Sequence, residues 1–393
     1  MKSRWLVAPH DPDLIGRLSR ETQLPPLVAQ VLFNRGIQGG ESAREFMKPQ
    51  LQLLHDPSTL PGVSAAAEHL TRAVQGGKKI VVYGDYDVDG VCGTSLLWEC
   101  LKIAGAREVS YYIPDRLTEG YGVNCQALDK IKASGGEVVV TIDCGISGLR
   151  EADHARDLGL EYIVTDHHTI GSAIPRAQAV VHPKLEGSSY PFKELCGAGV
   201  AFKLAWEIAK GLNDGKRASP SLRDFLVRAV SLVAIATIAD LVPLKGENRV
   251  LVRHGLRGLR DDSLVGLRAL LEVANCLTKS KITPAMIGFQ VAPRLNAAGR
   301  LTVGSKAVRL LVTREKSEAA ALALELNQAN IERQEIERRI VEEARALIEE
   351  RGDPRRRASI VVGHDSWHPG VIGIVASRLV EIYHRPTIVV ALE

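Results

Sequence analysis

Between residues 78 and 182, short apolar runs alternate with longer segments of helical composition. β-branched residues dominate these runs, so each run predicts a buried strand. The predicted strands are Ile80–Tyr83, Val109–Ile113, Glu137–Ile142, Tyr162–Thr165 and a short one at Ala179–Val181. Because strands that alternate with helices need crossover connections, the pattern predicts a mostly parallel sheet that is covered on both faces. The predicted fold class is therefore α/β, with a central domain over residues 76–245.

The rest of the chain divides into four predicted units. Residues 1–75 hold short helical pieces between Pro and Gly pairs and form a small N-terminal subdomain. Residues 246–314 form a helical extension that contains an arginine-bearing turn of small residues at Ala292–Leu301. A helix over 315–352 would span on the order of 50 Å, which is long enough to link two lobes. Residues 353–393 begin a second α/β unit, and we expect it to be incomplete because the chain stops on a predicted strand.

Acidic and imidazole side chains follow the predicted strands at the points where the strands end. In open parallel sheets, ligand sites lie beyond the carboxyl ends of the strands, so we expect these side chains to meet at one edge. A further carboxylate ends a very apolar predicted helix over Phe225–Ala239. The residues are Asp85, Asp87 and Asp89 after the first strand, Asp143 after the third, Asp166, His167 and His168 after the fourth, and Asp240 after the helix.

The loop over residues 85–89 brings three carboxylates close together, with no Lys or Arg between them. Close anions stay ionised together only when cations compensate their charge, and a bound metal is the economical compensation. Alone, this loop suits a solvated turn equally well, and a calcium loop would need a glutamate where Leu96 stands. Together with Asp143, His167 and Asp240, the loop favours two Mn²⁺ or Mg²⁺ ions over structural zinc.

The bend after the fourth predicted strand cannot direct all of its polar side chains inward. We therefore predict His167 as a metal ligand, His168 as a contact to substrate, and Asp166 as an orienting partner. Two metals a few Å apart clamp the attacking and departing oxygens of a phosphoryl transfer. The predicted chemistry is hydrolysis of a phosphodiester or phosphoanhydride. The sequence has no P-loop signature, so nucleotide hydrolysis of that kind is unsupported.

Composition and charge bear on the partners and the cellular location of the protein. The 393 residues carry a formal net charge of only +4, which neither requires nor excludes nucleic acid as a partner. Arg116, Arg294 and Arg300, with Asn296 between the last two, are predicted to bind substrate because arginine matches phosphate oxygens with paired donors. The six cysteines lack CxxC spacing, and neither a membrane-length apolar run nor a leader occurs, so we expect a reducing cytoplasm and no membrane.

Four motifs in chain order resemble those of the DHH phosphoesterases. They are Gly84–Gly90, Ile142–Ser147 around Asp143, Thr165–His168 and Ala239–Pro243. Within that superfamily, Pro293–Arg300 and Trp367–Arg378 resemble the RecJ family, the bacterial single-strand-specific 5′→3′ DNA exonucleases. The resemblance covers nearly the whole chain, and the second α/β unit would correspond to a DHHA1-like domain.

The resemblance implies a manganese- or magnesium-dependent enzyme that releases 5′ mononucleotides from single-stranded DNA threaded between two lobes. It also implies a role in DNA recombination and repair, with a helicase and a single-strand-binding protein as partners. By motif position, the metals would be held by Asp87, Asp89, Asp143, His167 and Asp240. Asp85 would be a ligand or a base that orients water, and His168 would face the scissile phosphate.

Two departures from the RecJ pattern stand out. Cys144 follows the second-motif aspartate, where Asn is common in the family, so a hydrogen bond behind the ligands is expected to be lost or moved. The sequence also ends before the Ser-Gly-Arg and Gly-Gly-His motifs and the OB-fold of the family, which hold the 5′ end and the strand. We therefore expect any processive activity to be affected.

Two alternatives remain at this point. One is a DHH phosphodiesterase that acts on short oligonucleotides or cyclic dinucleotides; the long helix and the Arg294/Arg300 segment favour a polymer channel instead. The other is a catalytically inactive DHH-like scaffold of the replicative-helicase type. The full set of carboxylates together with His167 argues against a decayed metal site.

Overall fold

A computed structural model gives the structure of the protein and describes residues 4–212, 219–261, 264–301 and 303–392. Its central strands are β1 (Ile80–Gly84), β2 (Val109–Tyr112), β3 (Val138–Ile142), β4 (Glu161–Thr165) and β5 (Ala179–Val181). They form one sheet in the order β2-β1-β3-β4-β5, and every pairing is parallel. The parallel α/β sheet that the apolar runs predict is therefore confirmed.

Helices make up most of the remaining structure. The N-terminal ones are α1 (Pro12–Thr22), α2 (Pro26–Asn34), α3 (Gly40–Met47) and α4 (Val63–Gln75). Those between strands are α5 (Val88–Ile103), α6 (Cys125–Ala133) and α7 (Leu149–Asp157). After the sheet come α8 (Gly197–Gly211), α9 (Pro220–Ala239), α10 (Gly246–Asp261), α11 (Val265–Val273), α12 (Pro284–Met286), α13 (Ala292–Leu301), α14 (Ser305–Val312) and α15 (Lys316–Glu350). The last elements are β6 (Ile360–His364), α16 (Ile372–Tyr383) and β7 (Thr387–Ala391).

Helices cover both faces of the central sheet, as buried parallel strands require. On one face Val82 and Val140 belong to the large core, which also contains much of α5, α8 and α9. On the other face Val81 and Val139 pack against α6 and α7. Because residues 229–238 of α9 are all buried, the helix delivers Asp240, at its C-terminal end, to the edge of the core. Among the described residues, no helix is both long enough and apolar enough to cross a membrane.

The 35-residue helix α15 links two separate cores. Its first half contributes Leu322 and Leu326 to the large core. Its second half contributes Ile340 and Ile348 to a smaller core, with Trp367 and the inner faces of β6, β7 and α16. The strands β6 and β7 pair in parallel as a second, two-stranded sheet. The predicted long helix between two α/β units is therefore present. The division of the chain into five units stays a prediction, and residues 1–3, 213–218, 262–263, 302 and 393 of these units lie outside the described residues.

The prediction of a turn at Ala292–Leu301 is wrong, because these residues form the helix α13. A single π-helical turn at Ile287–Val291 precedes it. Small residues are present because α13 packs closely on the loop after β1. A side-chain carbon on Gly299 would lie 2.9 Å from the backbone oxygen of Tyr86. Tertiary packing therefore overrides the local preference of this segment for a turn.

A buried ion pair fixes α8 against α10. Lys203 Nζ lies 2.6 Å from Glu247 Oε1, and neither side chain is more than 1% exposed. Lys203 also donates to the backbone oxygen of His55, and the Tyr190 hydroxyl donates to Glu247 Oε2. Since each charge has both a counter-charge and hydrogen bonds, the pair is compensated. Through this pair the N-terminal segment, α8 and α10 are held in one arrangement.

We expect Lys203→Met to destabilise the protein strongly, because it leaves Glu247 buried without a counter-charge. The free energy of unfolding should fall by about 3–5 kcal/mol. The matched control is Lys306→Met, which breaks the partly exposed pair with Glu325 and should change stability by less than about 1 kcal/mol. Urea denaturation of both variants measures the difference, and equally small effects would contradict the role given to the buried pair.

Candidate metal centre

The carboxyl ends of three neighbouring strands meet at one edge of the sheet. Asp85 follows β1, Asp143 follows β3, and the segment 166–168 follows β4. Asp87 caps the N-terminus of α5, and Asp240 follows α9. Seven predicted side chains therefore come together: Asp85, Asp87, Asp89, Asp143, His167, His168 and Asp240.

These side chains form three overlapping groups whose ligand atoms lie within 4.8 Å of one another. The first group is Asp85, Asp87 and Asp143; the second is Asp143, His167 and His168; the third is Asp89, His167 and Asp240. Asp143 belongs to two groups, and so does His167. Shared ligands of this kind suit two adjacent cations better than a single one.

Several buried atoms in this cluster have no hydrogen-bond partner among the described residues. They are Asp85 Oδ1, Asp143 Oδ1, His167 Nε2 and Asp240 Oδ2. His167 Nε2 lies 3.1 Å from Asp143 Oδ1 and 3.6 Å from Asp240 Oδ2. Buried polar atoms without partners are costly, and divalent cations satisfy carboxylate oxygen and imidazole nitrogen together. The donor set therefore fits divalent metal ions.

Backbone groups hold Asp87 and Asp89 in place. Asp87 Oδ1 accepts hydrogen bonds from the backbone nitrogens of Asp89 (2.8 Å) and Gly90 (3.1 Å), and so caps α5. The two oxygens of Asp89 accept from Gly197 N (2.6 Å) and Ala198 N (2.7 Å). These nitrogens form the positive N-terminal end of α8, which stabilises a negative charge. Asp89 is thus the most firmly anchored carboxylate of the site.

Two non-glycine residues at the site have a left-handed backbone. Asp143 has φ = 63°, and Leu241, directly after Asp240, has φ = 60°. This conformation costs an L-residue on the order of 1 kcal/mol or more and clusters at functional sites. Next to Asp143, the thiol of Cys144 is buried, and this burial raises its pKa well above the usual range.

Burial controls the protonation of the carboxylates. It raises the pKa of Asp85 to about 7, and the negative charge of Asp87 adds to the shift. Burial likewise raises the pKa of Asp89 and the pKa of Asp240 to about 6. For Asp143, burial and the negative charges of Asp89 and Asp87 hold the pKa well above its usual range. Protons and metal ions therefore compete for these groups near neutral pH.

The two histidines differ in exposure and in partner. Burial lowers the pKa of His167, which favours the neutral ring that a metal needs. The hydrogen bond from His168 Nδ1 to Asp166 Oδ1 (2.8 Å) raises the pKa of His168. His168 Nε2 lies 3.3 Å from the Tyr121 hydroxyl, and 43% of the side chain is exposed. His168 therefore presents its Nε2 edge on the open side of the site.

Asp166 lies behind the histidines and orients them. Its Oδ1 also accepts from the backbone nitrogens of His167 (2.7 Å) and His168 (3.1 Å), and its Oδ2 accepts from Ile146 N (2.9 Å). Although burial alone would raise the pKa of Asp166, these hydrogen bonds lower it. The residue is therefore an ionised support for the bend, in keeping with the orienting role predicted for it.

Sequence reasoning missed two residues beneath this bend. Lys184 Nζ donates to the backbone oxygen of His167 at 2.9 Å. His182 is fully buried, its Nε2 lies 2.9 Å from the backbone oxygen of His168, and its Nδ1 accepts from Lys184 N. Together they fix both histidine carbonyl groups from below. The one feature of the sequence that could have indicated these two residues is their position just after the short strand β5.

The predicted substrate-binding residues are not equivalent in the structure. The guanidinium of Arg116 lies 5.2 Å from the ring centre of Tyr86, on the loop after β1. Arg300 donates to the backbone oxygen of Gly370 in the second lobe at 2.9 Å. Burial raises the pKa of Tyr86, and the positive charges of Arg116 and Arg300 oppose that shift. Both arginines are therefore close to the loop that carries the metal-site carboxylates.

Asn296 and Arg294 are already bonded within the protein. Asn296 Oδ1 accepts from Val88 N (3.1 Å), directly after Asp87, so it supports the start of α5. Arg294 Nε donates to Asn327 Oδ1 (3.0 Å) on α15, and another of its nitrogens donates to the backbone oxygen of Gln290. Substrate binding by these two residues stays a prediction.

Known proteins with similar sequences and folds match this chain. The model of the DHH family, N-terminal domain, matches residues 79–236. The single-stranded-DNA-specific exonuclease RecJ of Bacillus subtilis is 41% identical over 392 residues, which cover all of this chain and 48% of the relative. The structure of RecJ from Thermus thermophilus in complex with Mn²⁺ matches with a TM-score of 0.82 at 35% identity, covering 98% of this chain and 53% of that one.

A second crystal structure, of exonuclease RecJ bound to manganese, matches with a TM-score of 0.75 at 40% identity and covers 87% of this chain and 82% of that one. The chain therefore belongs to the DHH family and, within it, to the RecJ proteins. It spans about half the length of the curated B. subtilis relative.

We expect the stability of the metal-free protein to fall as the pH rises from about 4 to about 7. Asp85, Asp89 and Asp240 have pKa values raised above the usual 3.8, so in this window the folded state binds more protons than the unfolded chain. Thermal unfolding in EDTA at several pH values measures this trend. Asp85→Asn should flatten it.

With Mn²⁺ present, the stability should rise with pH instead, because the ion binds to the carboxylates in place of the protons. Its stabilising effect is expected to be small at about pH 5 and large at about pH 8. A metal effect that does not change with pH would contradict the proton competition described above.

Gly197→Ala should weaken Mn²⁺ binding. A side-chain carbon at this position would lie 2.6 Å from Asp143 Oδ1, so Asp143 or α8 must move. The matched control is Gly211→Ala, at the other end of the same helix, where no atom of the described residues lies within 4 Å. Calorimetric titration should give at least about a tenfold loss of affinity for Gly197→Ala and none for the control. Equal affinities would show that Asp143 is not a ligand.

Proposed function

We propose that this chain is a metal-dependent, single-stranded-DNA-specific 5′→3′ exonuclease that releases 5′ mononucleotides in DNA recombination and repair. The observation that carries the proposal is the group of buried carboxylate and imidazole atoms without hydrogen-bond partners among the described residues. Membership of the RecJ proteins, whose curated relative is a single-stranded-DNA-specific exonuclease, supports the substrate. This chain spans about half the length of that relative. The activity of the whole relative is therefore a proposal for this chain.

The metal ligands in this proposal are Asp87, Asp89, Asp143, His167 and Asp240, which would hold two Mn²⁺ or Mg²⁺ ions. When bound, the ions lower the pKa of a water molecule and stabilise negative charge on the phosphate. In the hydrolysis, the water oxygen forms a bond to phosphorus and the P–O3′ bond breaks.

The chain's own residues serve the remaining steps. Asp85, whose pKa is raised to about 7, is suited to orient the attacking water and accept its proton near neutral pH. His168, kept basic by Asp166, presents Nε2 to the scissile phosphate as a hydrogen-bond donor. His168 lies on the open side of the ligands, whereas Asp85 is buried beside Asp87 and Asp143.

A single strand is proposed to bind between the two lobes that α15 connects. The carboxylate site belongs to the first lobe, and Arg300 contacts the backbone of the second. In this proposal Arg116 and Arg300, near Tyr86, contact phosphates that follow the scissile one, and the proximity of Arg116 to the Tyr86 ring supports this role. Arginine forks suit phosphate oxygens, and Tyr121 offers an exposed ring beside His168.

The two alternatives are less well supported. A phosphodiesterase for short oligonucleotides or cyclic dinucleotides does not need a second lobe linked by a 35-residue helix. An inactive scaffold does not explain a full set of carboxylates whose buried oxygens lack partners within the described ranges of the chain. Interaction with a helicase and a single-strand-binding protein is proposed from the family resemblance alone. A cytoplasmic location is proposed because all six cysteines are free thiols.

The activity test uses single-stranded DNA labelled at the 5′ or the 3′ end, with Mn²⁺, and compares the protein with Asp143→Ala. We expect labelled mononucleotide from the 5′-labelled strand at once, and only a shortened strand from the 3′-labelled one. Asp143→Ala should reduce the rate at least about a thousandfold, the scale on which loss of a central catalytic group acts.

The matched control is Asp157→Ala, an exposed carboxylate at the end of α7, which should keep full activity. Release from the 3′ end first would contradict the polarity, and cleavage of dinucleotides alone would favour the phosphodiesterase. Undiminished activity of Asp143→Ala would refute the metal assignment.

A further inference from the structure

A second cavity, of about 830 Å³, lies between the N-terminal helices and the start of α10. None of the metal-site residues lines it. Its apolar wall includes Ile37, Phe46, Leu53, Leu54, Pro243 and Leu244. The volume falls within the range of small-molecule sites, which are mostly apolar with a few convergent polar groups.

Three cationic side chains line this cavity: Arg35, Lys245 and Arg249. The guanidinium of Arg249 lies 3.6 Å from the ring centre of Phe46, and its Nε donates to the backbone oxygen of Phe46 at 2.6 Å. In the described part of the chain, the other two guanidinium nitrogens of Arg249 have no acceptor. Arg35 and Lys245 are exposed, and no ion pair involves them within the described ranges.

The acidic residues of the cavity do not neutralise this cluster. Glu247 is buried and already paired with Lys203. Glu45 is exposed and makes no ion pair among the described residues. Burial, together with the positive charges of Arg253 and Arg35, lowers the pKa of Arg249. A half-buried guanidinium next to other cations, without a carboxylate partner, is the environment that an anion stabilises.

We propose that this cavity binds a nucleoside monophosphate, with the phosphate on Arg35, Lys245 and Arg249 and the base and sugar against the apolar wall. The two guanidinium nitrogens of Arg249 that have no acceptor among the described residues offer the paired donors that phosphate oxygens accept. The 16-residue helix α10 begins at Gly246 in the cavity wall, so its positive end adds to the attraction. The apolar wall favours a nucleotide over a bare phosphate ion.

The test is calorimetric titration of the 393-residue chain with 5′-dAMP in EDTA, where metal-dependent activity is absent. The outcome is therefore independent of the proposed exonuclease function. We expect one site, weakened about tenfold or more by Arg249→Met, since a charge-assisted bidentate contact is lost. Lys245→Ala, at an exposed position that does not support the fold, should weaken binding severalfold. The matched control, Arg257→Met, removes an exposed arginine two turns further along α10 that does not line the cavity, and it should leave binding unchanged.

Parallel titrations with inorganic phosphate and with a single-stranded oligonucleotide show whether the cavity binds a nucleotide, a phosphate ion or a DNA strand. Inorganic phosphate should bind at least about tenfold more weakly than 5′-dAMP, because it leaves the apolar wall uncovered. Equal affinity for phosphate would overturn the nucleotide assignment. Binding of the oligonucleotide but not of 5′-dAMP, weakened by Arg249→Met, would assign the cavity to a DNA strand instead. Binding of 5′-dAMP that neither Arg249→Met nor Lys245→Ala changes would refute the site.

Discussion

Three buried carboxylates, Asp85, Asp89 and Asp143, meet at the carboxyl edge of the central sheet, and their mutual repulsion is the constraint on which the site depends. Burial raises the pKa of each of them, so a metal-free site near neutral pH holds either protons or uncompensated charge. Neither state satisfies all the buried oxygens. A pair of divalent cations removes both difficulties at once, and the rest of the local structure is consistent with holding ligands for them.

The support for this site comes from parts of the chain that are distant in sequence. The N-terminus of α8 holds both oxygens of Asp89, and α13 holds the start of α5 through Asn296. The buried Lys203–Glu247 pair in turn holds α8 against α10. Lys184 and His182 fix the histidine bend from below. The metal centre is therefore a product of the whole first lobe and not of its motif residues alone.

The sequence predicts the sheet, and which polar side chains lie together at its edge, where one signal dominates. β-branched runs locate the strands, and the rule that ligands lie beyond strand ends accounts for six of the seven side chains that come together, while Asp240 joins them from the end of α9. Prediction from the sequence fails where tertiary packing determines the local structure. The segment Ala292–Leu301 is helical because its small residues pack on the loop after β1. Likewise, no periodicity distinguishes His182 and Lys184, because their position depends on the crossover from β4 to β5. The contact of Arg294 with Asn327 could not be predicted either, because it depends on how α15 packs against α13.

The central claim is that two metal ions are held by the buried carboxylate oxygens and imidazole nitrogen that have no hydrogen-bond partner in the described part of the chain. Anomalous diffraction at the manganese edge, from crystals of this chain grown with Mn²⁺, tests it most directly. We predict two peaks, one bounded by Asp85, Asp87 and Asp143 and the other by Asp89, His167 and Asp240. A single peak would contradict the two-ion account. Peaks elsewhere, or none at this edge of the sheet, would contradict the assignment of the metal centre itself.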